Sequence, residues 1–177
     1  MANKYTLIEA KTLGSAVASV TFNSIPQTYT DLLLKVSARD DRAGQPNSDL
    51  SLRVGYNGAI NTGSIYSVIQ LYGSGSTAGS QSSATNYLYV GMADGPTATA
   101  STFGNTEIYI PNYTSANNKS VSTDGVSENN ATTAYAVLNA GLISTSNPIT
   151  DIQISADYGT GNYQIYSTFY LYGIKNS

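Results

Sequence analysis

The feature that most constrains this chain is an alternation of apolar and polar residues with a period of two, repeated from one end to the other. Asp31–Arg39 alternates Leu32, Leu34, Val36 and Ala38 with Leu33, Lys35, Ser37 and Arg39. Asp49–Tyr56 sets Leu50, Leu52, Val54 and Tyr56 against Ser51, Arg53 and Gly55, and Gln164–Ile174 sets Ile165, Phe169 and Leu171 against Tyr166, Tyr170, Tyr172 and Ile174. Successive side chains of a strand point to opposite faces, so this pattern belongs to half-buried strands. Further strands are expected at Lys4–Leu13, Ser19–Phe22, Ser64–Tyr72, Asn86–Met92, Thr106–Ile110, Ser120–Asp124, Thr133–Leu138 and Asp151–Ala156.

Turn chemistry falls between these runs: Asn57-Gly58, Asp94-Gly95-Pro96, Asp124-Gly125 and Tyr158-Gly-Thr-Gly161. Ile25-Pro26 and Ile110-Pro111 close strands, because proline cannot donate to a ladder. Ala131–Gly141 is the one apolar stretch with a weak helical period, and its Thr and Tyr content assigns it to a strand. The expected fold is therefore all-β, an antiparallel β-sandwich of about 8–10 strands with almost no helix. It is read as a single domain over 1–177 with a short N-terminal arm at Ala2–Leu7, and the Gly/Ser-rich stretch Gly73–Ser83 is expected to be a long exposed loop.

Composition narrows the chemistry. The 177 residues contain no Cys, His or Trp, which removes disulfides, thiolate or imidazole catalysis and the usual ligands of zinc and iron. The net charge of −3 and the scattered basic residues argue against a nucleic-acid partner. No run of 18 apolar residues is available to cross a membrane, and the N-terminus lacks the apolar core of a secretory signal. The sequons at Asn112, Asn118 and Asn130 are what a chain rich in Asn, Ser and Thr produces by chance.

The carboxylates are mostly placed in or beside turns, where Asp stabilises the turn, so an acid pair for glycoside hydrolysis is not expected. The loop Arg39–Asp49 gathers Asp40, Asp41, Asn47 and Asp49, oxygen ligands of the kind Ca²⁺ takes, but without EF-hand spacing and with Arg39 and Arg42 beside them. A solvated loop is the expectation. Gly73–Ser83 lacks the Gly-Lys-Ser/Thr that would make it a phosphate cradle. The chain is read as a non-enzyme without cofactor or metal.

The 15 tyrosines recur at strand positions in a chain whose charged fraction is only 11%. Tyrosine joins rigid apolar area to a hydroxyl, and charge is depleted in interface cores, so these residues are candidates for contacts between subunits. The candidate interface comprises Tyr5, Leu7, Tyr72, Tyr87, Tyr89, Tyr166, Tyr170 and Tyr172.

Both ends of the chain add a family resemblance. Thr12–Leu33, with its Ser19-Val-Thr-Phe22, Ile25-Pro26 and Tyr29-Thr-Asp-Leu32, resembles the opening of a virion structural module of tailed bacteriophages, of the marine and cyanobacterial phage type. Ser167-Thr-Phe-Tyr-Leu-Tyr-Gly-Ile-Lys175 resembles its final strand, while Tyr56-Asn-Gly58 and Phe103-Gly-Asn105 in the middle are similar only in flavour. The resemblance implies a jelly-roll-like sandwich serving as a virion surface or fibre module, and it carries no catalytic residue. With Met1 only a few residues ahead of the module, a freestanding capsid decoration (cement) or head-fibre protein is expected. Its partners would be the major capsid protein and copies of itself, in a homo-oligomer such as a trimer. Its location would be the virion, assembled in the host cytoplasm. The alternative is a tail-fibre or tail-tip protein that recognises a host cell-surface glycan.

Overall fold

A computed structural model describes residues 4–128 and 134–175. They form thirteen strands and one 3-10 turn, Asp157–Gly159, with no α-helix among the described residues. The strands are β1 (Lys4–Thr12), β2 (Ser19–Phe22), β3 (Asp31–Ala38), β4 (Asn47–Tyr56), β5 (Ala59–Ile60), β6 (Tyr66–Gly73) and β7 (Ala78–Thr85). They continue with β8 (Leu88–Asp94), β9 (Gly104–Ile110), β10 (Lys119–Glu128), β11 (Ala134–Ile143), β12 (Asp151–Ala156) and β13 (Thr168–Lys175).

Eight of these strands are nested pairs, first with last and inward: β1 with β13, β2 with β12, β3 with β9 and β4 with β8, all antiparallel. Further pairing of β13 with β3 and of β12 with β4 assembles two four-stranded layers, β1-β13-β3-β9 and β2-β12-β4-β8. This is the strand order of a jelly roll, a long hairpin rolled up on itself. Two insertions enlarge it. The hairpin β10–β11 follows β9, and β5–β7 lies between β4 and β8. Strands β10, β11, β6 and β7 extend the first layer to the eight-stranded order β1-β13-β3-β9-β10-β11-β6-β7. We call these four strands the wing.

The alternation read from the sequence places the core as expected over the jelly roll. Leu34 and Val36 of β3, Leu50, Leu52 and Val54 of β4, Ile152 and Ile154 of β12, and Phe169 and Leu171 of β13 are all buried between the layers. Burying a side chain of this size contributes about 1.5–3 kcal/mol. Asn57 and Gly58 turn β4 into β5 with φ of 53° and 85°, the paired left-handed geometry of a type I′ hairpin. Gly141 of β11 has a packing role: a Cβ there would stand 2.8 Å from the Leu88 side chain, which instead passes under the wing.

Three expectations are corrected. Asp124-Gly125 is not a turn but lies inside β10, opposite Leu138 and Val137 of β11. Gly73–Ser83 is not a loop. A tight turn, with Ser74 N–H donating to the Thr77 carbonyl at 2.8 Å, leads into β7, which pairs with β6 along its whole length. Lys4–Leu7 of the expected arm is the start of β1, in register with Tyr172–Lys175 of β13; Ala2 lies outside the described residues, as do Asn130 and Thr133. Elsewhere the strand limits move by a few residues, most at β10 and β11, which run further than expected.

Candidate interaction surface

The outward side of the eight-stranded layer carries two different surfaces. Over the jelly roll, Leu7 of β1 meets Tyr172 of β13 in register, Tyr5 stands opposite Ile174, and Tyr5, Tyr172 and Leu33 line a shallow hollow with Lys35 and Glu107. Lys35 and Glu107 are paired across β3 and β9, Nζ to Oε2 at 2.7 Å, and the carboxylate raises the lysine pKa. Tyr109 donates to Asp31 at 2.8 Å at the same strand pair's far end. This face mixes aromatic rings with charges, as an ordinary solvated sheet face does.

Over the wing the outer face carries aliphatic side chains. Ile69 and Leu71 of β6, Val126 of β10 and Leu138 and Leu142 of β11 point outward, Ile69 being 60% exposed and Leu71 and Leu138 54%. Register places them together: Leu71 opposite Leu138, Ile69 opposite Ala140, and Ser67 opposite Leu142. Ser80, Ser82 and Ala84 of β7 continue the face without charge, opposite Leu71, Ile69 and Ser67. Asp124 lies within this face, directly opposite Leu138, and Glu128 is a second acidic residue on β10.

The inward side of the same strands buries polar residues among apolar ones: Gln70, Asn139, Thr123 and Ser127 lie beside Tyr66, Val68, Val121, Val137 and Ile143, and all are buried. Gln81 Nε2 donates to Gln70 Oε1, and Asn139 Nδ2 donates to Thr123 Oγ1 at 2.7 Å. Gln70 and Asn139 are direct cross-strand partners, and Gln70 Nε2 and Asn139 Oδ1 are each buried without a hydrogen bond. A strand that keeps Asn139 inside and Leu138 outside is arranged for a covering on its outer face, since exposed apolar patches of this kind mark interaction sites.

The wing also ends in an unprotected edge. β7 is the last strand of its sheet, and its sequence Ala78-Gly-Ser-Gln-Ser-Ser-Ala-Thr85 has neither charge nor proline. The opposite edge, β1, carries Lys4, Glu9 and Lys11 and breaks register between Leu7 and Glu9. Charges and bulges are how sheet edges avoid pairing with other chains; β1 has both and β7 has neither.

The tyrosines named from the sequence do not converge. Tyr5, Leu7, Tyr170 and Tyr172 share the outer face of the jelly roll, and Tyr166 stands 69% exposed in the segment before β13. Tyr72 lies on the inner side of the wing against Gly79 of β7, whose missing Cβ makes room for its ring. Tyr87 stacks on Tyr158 at 4.6 Å between centroids, with the Arg53 guanidinium 5.9 Å from its ring. Tyr89 is corrected as a surface candidate: it is only 6% exposed and joins the core where β8 packs beneath the wing. Burial raises the pKa of Tyr89, and burial with the Asp49 carboxylate raises that of Tyr158.

The acids of the Arg39–Asp49 loop are dispersed onto separate partners. Asp40 is buried and accepts from the Ser48 hydroxyl and from Arg42 N–H at 3.3 Å. Asp41 accepts from Asn162 N–H at 2.7 Å and its side-chain amide at 2.9 Å, which lowers its pKa, and Asp49 accepts from the Tyr158 hydroxyl. Among the described residues no three His, Cys, Asp or Glu side chains gather as a metal site.

The wing face itself went unrecognised in the sequence. Its signal was Leu138, Ala140 and Leu142 against Val137, Asn139 and Gly141, an alternation that shows two faces without saying which one is inside.

No protein-family model and no curated protein matches the chain. Among solved structures, it is similar to the CBM2 module of the evolved Dit of Lactobacillus casei BL23 phage J-1. The identity is 13% and the TM-score 0.28, over 90% of this chain and 69% of that one.

Proposed function

We propose that the protein is a structural component of a phage virion, a capsid decoration protein that seats the outer face of its wing on the capsid exterior and stabilises the shell. The aliphatic outer face of the wing carries this reading: Ile69, Leu71, Leu138 and Leu142 are outside while Gln70 and Asn139 are inside. A subunit whose outer face is covered has a use for that arrangement. The charge-poor surface and the resemblance of Thr12–Leu33 and Ser167–Lys175 to phage virion modules point the same way. The uncharged β7 edge offers a place for neighbouring copies to join, making the decoration a homo-oligomer. Binding only the assembled shell would stabilise it by mass action.

The test is reconstitution. Phage heads made without the protein are mixed with the purified chain or with Leu138→Asp, then sedimented and heated. The wild-type chain should co-sediment and raise the temperature at which DNA is released, while Leu138→Asp, folded and soluble, should do neither. Heads that bind the variant as well as the wild type, or that gain no heat resistance, would refute the proposal.

A further inference from the structure

At one end of the sandwich the loops joining β2 to β3, β4 to β5, β9 to β10 and β11 to β12 are tied to one another. Ile25 N–H donates to the Thr150 carbonyl at 2.8 Å, Thr150 N–H to Gly55 at 3.0 Å and Ile149 N–H to Tyr113 at 3.0 Å. The Gln27 amide donates to the carbonyls of Ile25 and Ile149, both at 2.9 Å, and Asn57 N–H donates to Thr150 Oγ1 at 2.7 Å. The Tyr113 hydroxyl donates to the Pro26 carbonyl.

Lys119 completes the lacing. Its side chain is buried, and Nζ donates to the carbonyls of Ser115 and Asn117 at 2.6 Å each, Thr145 at 3.2 Å and Asn147 at 3.0 Å. Burial pulls its pKa down, and the carbonyl dipoles supply the solvation that the ammonium has lost. One lysine thus fixes the β9–β10 loop against the β11–β12 loop.

Between the laced loops lies a cleft of about 510 Å³, within the range of small-ligand sites. Tyr56 and Pro148 give it apolar wall, and Gln27, Asn57, Thr114 and Asn147 give it amide and hydroxyl groups. None of its lining side chains is a carboxylate, an ammonium or a guanidinium. Amides donate and accept at once, which suits hydroxyl groups, and an aromatic ring suits the flat apolar face of a pyranose. Phosphate, sulfate or carboxylate ligands would call for a basic partner, which the cleft lacks. Loops already fixed by Lys119 and Gln27 lose little freedom when a ligand arrives.

We infer that this loop-end cleft binds an uncharged sugar unit, with Tyr56 against the ring face, the Asn57 and Asn147 amides on its hydroxyls, and the Gln27 carbonyl oxygen accepting from one of them. The site shares no residue with the wing, so it can act while the wing is covered, and its test is independent of shell binding.

The purified protein is screened on an array of neutral and acidic bacterial surface oligosaccharides, and each hit is titrated by amide NMR. At least one neutral glycan should bind, with shifts centred on residues 26–28, 56–58, 114–118 and 146–150. Asn147→Ala and Asn57→Gly should each weaken binding by about tenfold, the loss of one good hydrogen bond. Asn57→Gly suits the left-handed backbone at that turn, so its melting temperature should not fall. A silent array, binding confined to acidic glycans, or binding that both substitutions leave unchanged would overturn the inference.

Discussion

The wing extends one sheet of the jelly roll, yet the two present their outer faces differently. In the jelly roll, β3 and β13 send Leu34, Val36, Phe169 and Leu171 inward and leave Lys35 and the tyrosines outside, closing a core of their own. In the wing, β6 and β11 send Gln70 and Asn139 inward and hold Ile69, Leu71 and Leu138 out. The outer face of the jelly roll is polar and aromatic, whereas the outer face of the wing leaves aliphatic side chains uncovered. The difference teaches that apolar residues facing solvent in an ordered strand describe a partner rather than a defect.

The comparison can be broken by measurements on the free protein. Phe169→Ala in the jelly-roll core should lower unfolding free energy by about 3–5 kcal/mol in urea titration. A loss under 1 kcal/mol would mean that the core does not reside there.

Alkali should strike the seam between the halves. Tyr66 of β6 is buried, donates to the Asn61 carbonyl at 3.1 Å and accepts from Val54 N–H at 3.0 Å, and burial pushes its pKa from 10.0 to about 12. Unfolded tyrosine loses its proton near pH 10 while the folded residue keeps it, so stability falls as pH rises from about 10 to about 12, by roughly 2–3 kcal/mol. Phenolate absorbance should therefore appear together with loss of the strand signal in circular dichroism. Ionisation of all the tyrosines near pH 10 in a folded protein would contradict the burial of this side chain.

Asn139→Ala should cost about 1 kcal/mol, because Thr123 loses its donor and Gln70 keeps no amide opposite it. A gain in stability on Asn139→Leu would show that the inner amides are tolerated rather than needed. The smallest effect is expected outside: Leu138→Thr should change the stability of the free protein by less than about 0.5 kcal/mol. If it destabilised the monomer as a core substitution does, the face would not be free and the contrast would fail.

How much of this was legible in the sequence follows from the same contrast. β3, β4 and β13 were readable because their alternation is steep and their inner faces are aliphatic, and Asn57-Gly58 announced its hairpin through the left-handed conformation both residues accept. β7 was hidden: Ala78–Thr85 has no apolar period, because it is held by the ladder to β6 and buries almost nothing. The tyrosines suggested one surface and lie on several. Tyr89 went inside because β8 is covered on both sides, by β4 in its own sheet and by β10 and β11 above it. The wing stayed unread because a period of two fixes which residues share a face and leaves the choice of inner face to the neighbours.

The nested pairing of the jelly roll also sets an order of assembly. Hairpins β6–β7 and β10–β11 join residues close in sequence, whereas Lys4 must find Lys175 and Asp31 must find Ile174, and loop closure grows costlier with length. Sequence separation therefore favours pairing from the middle of the chain outward, with β13, which lies between β1 and β3, joining late. A chain broken off before Thr168 would leave β3 with an open edge and β1 with no partner at all, and such fragments are the ones most apt to stick to each other. The layer closes only once β13 is in place.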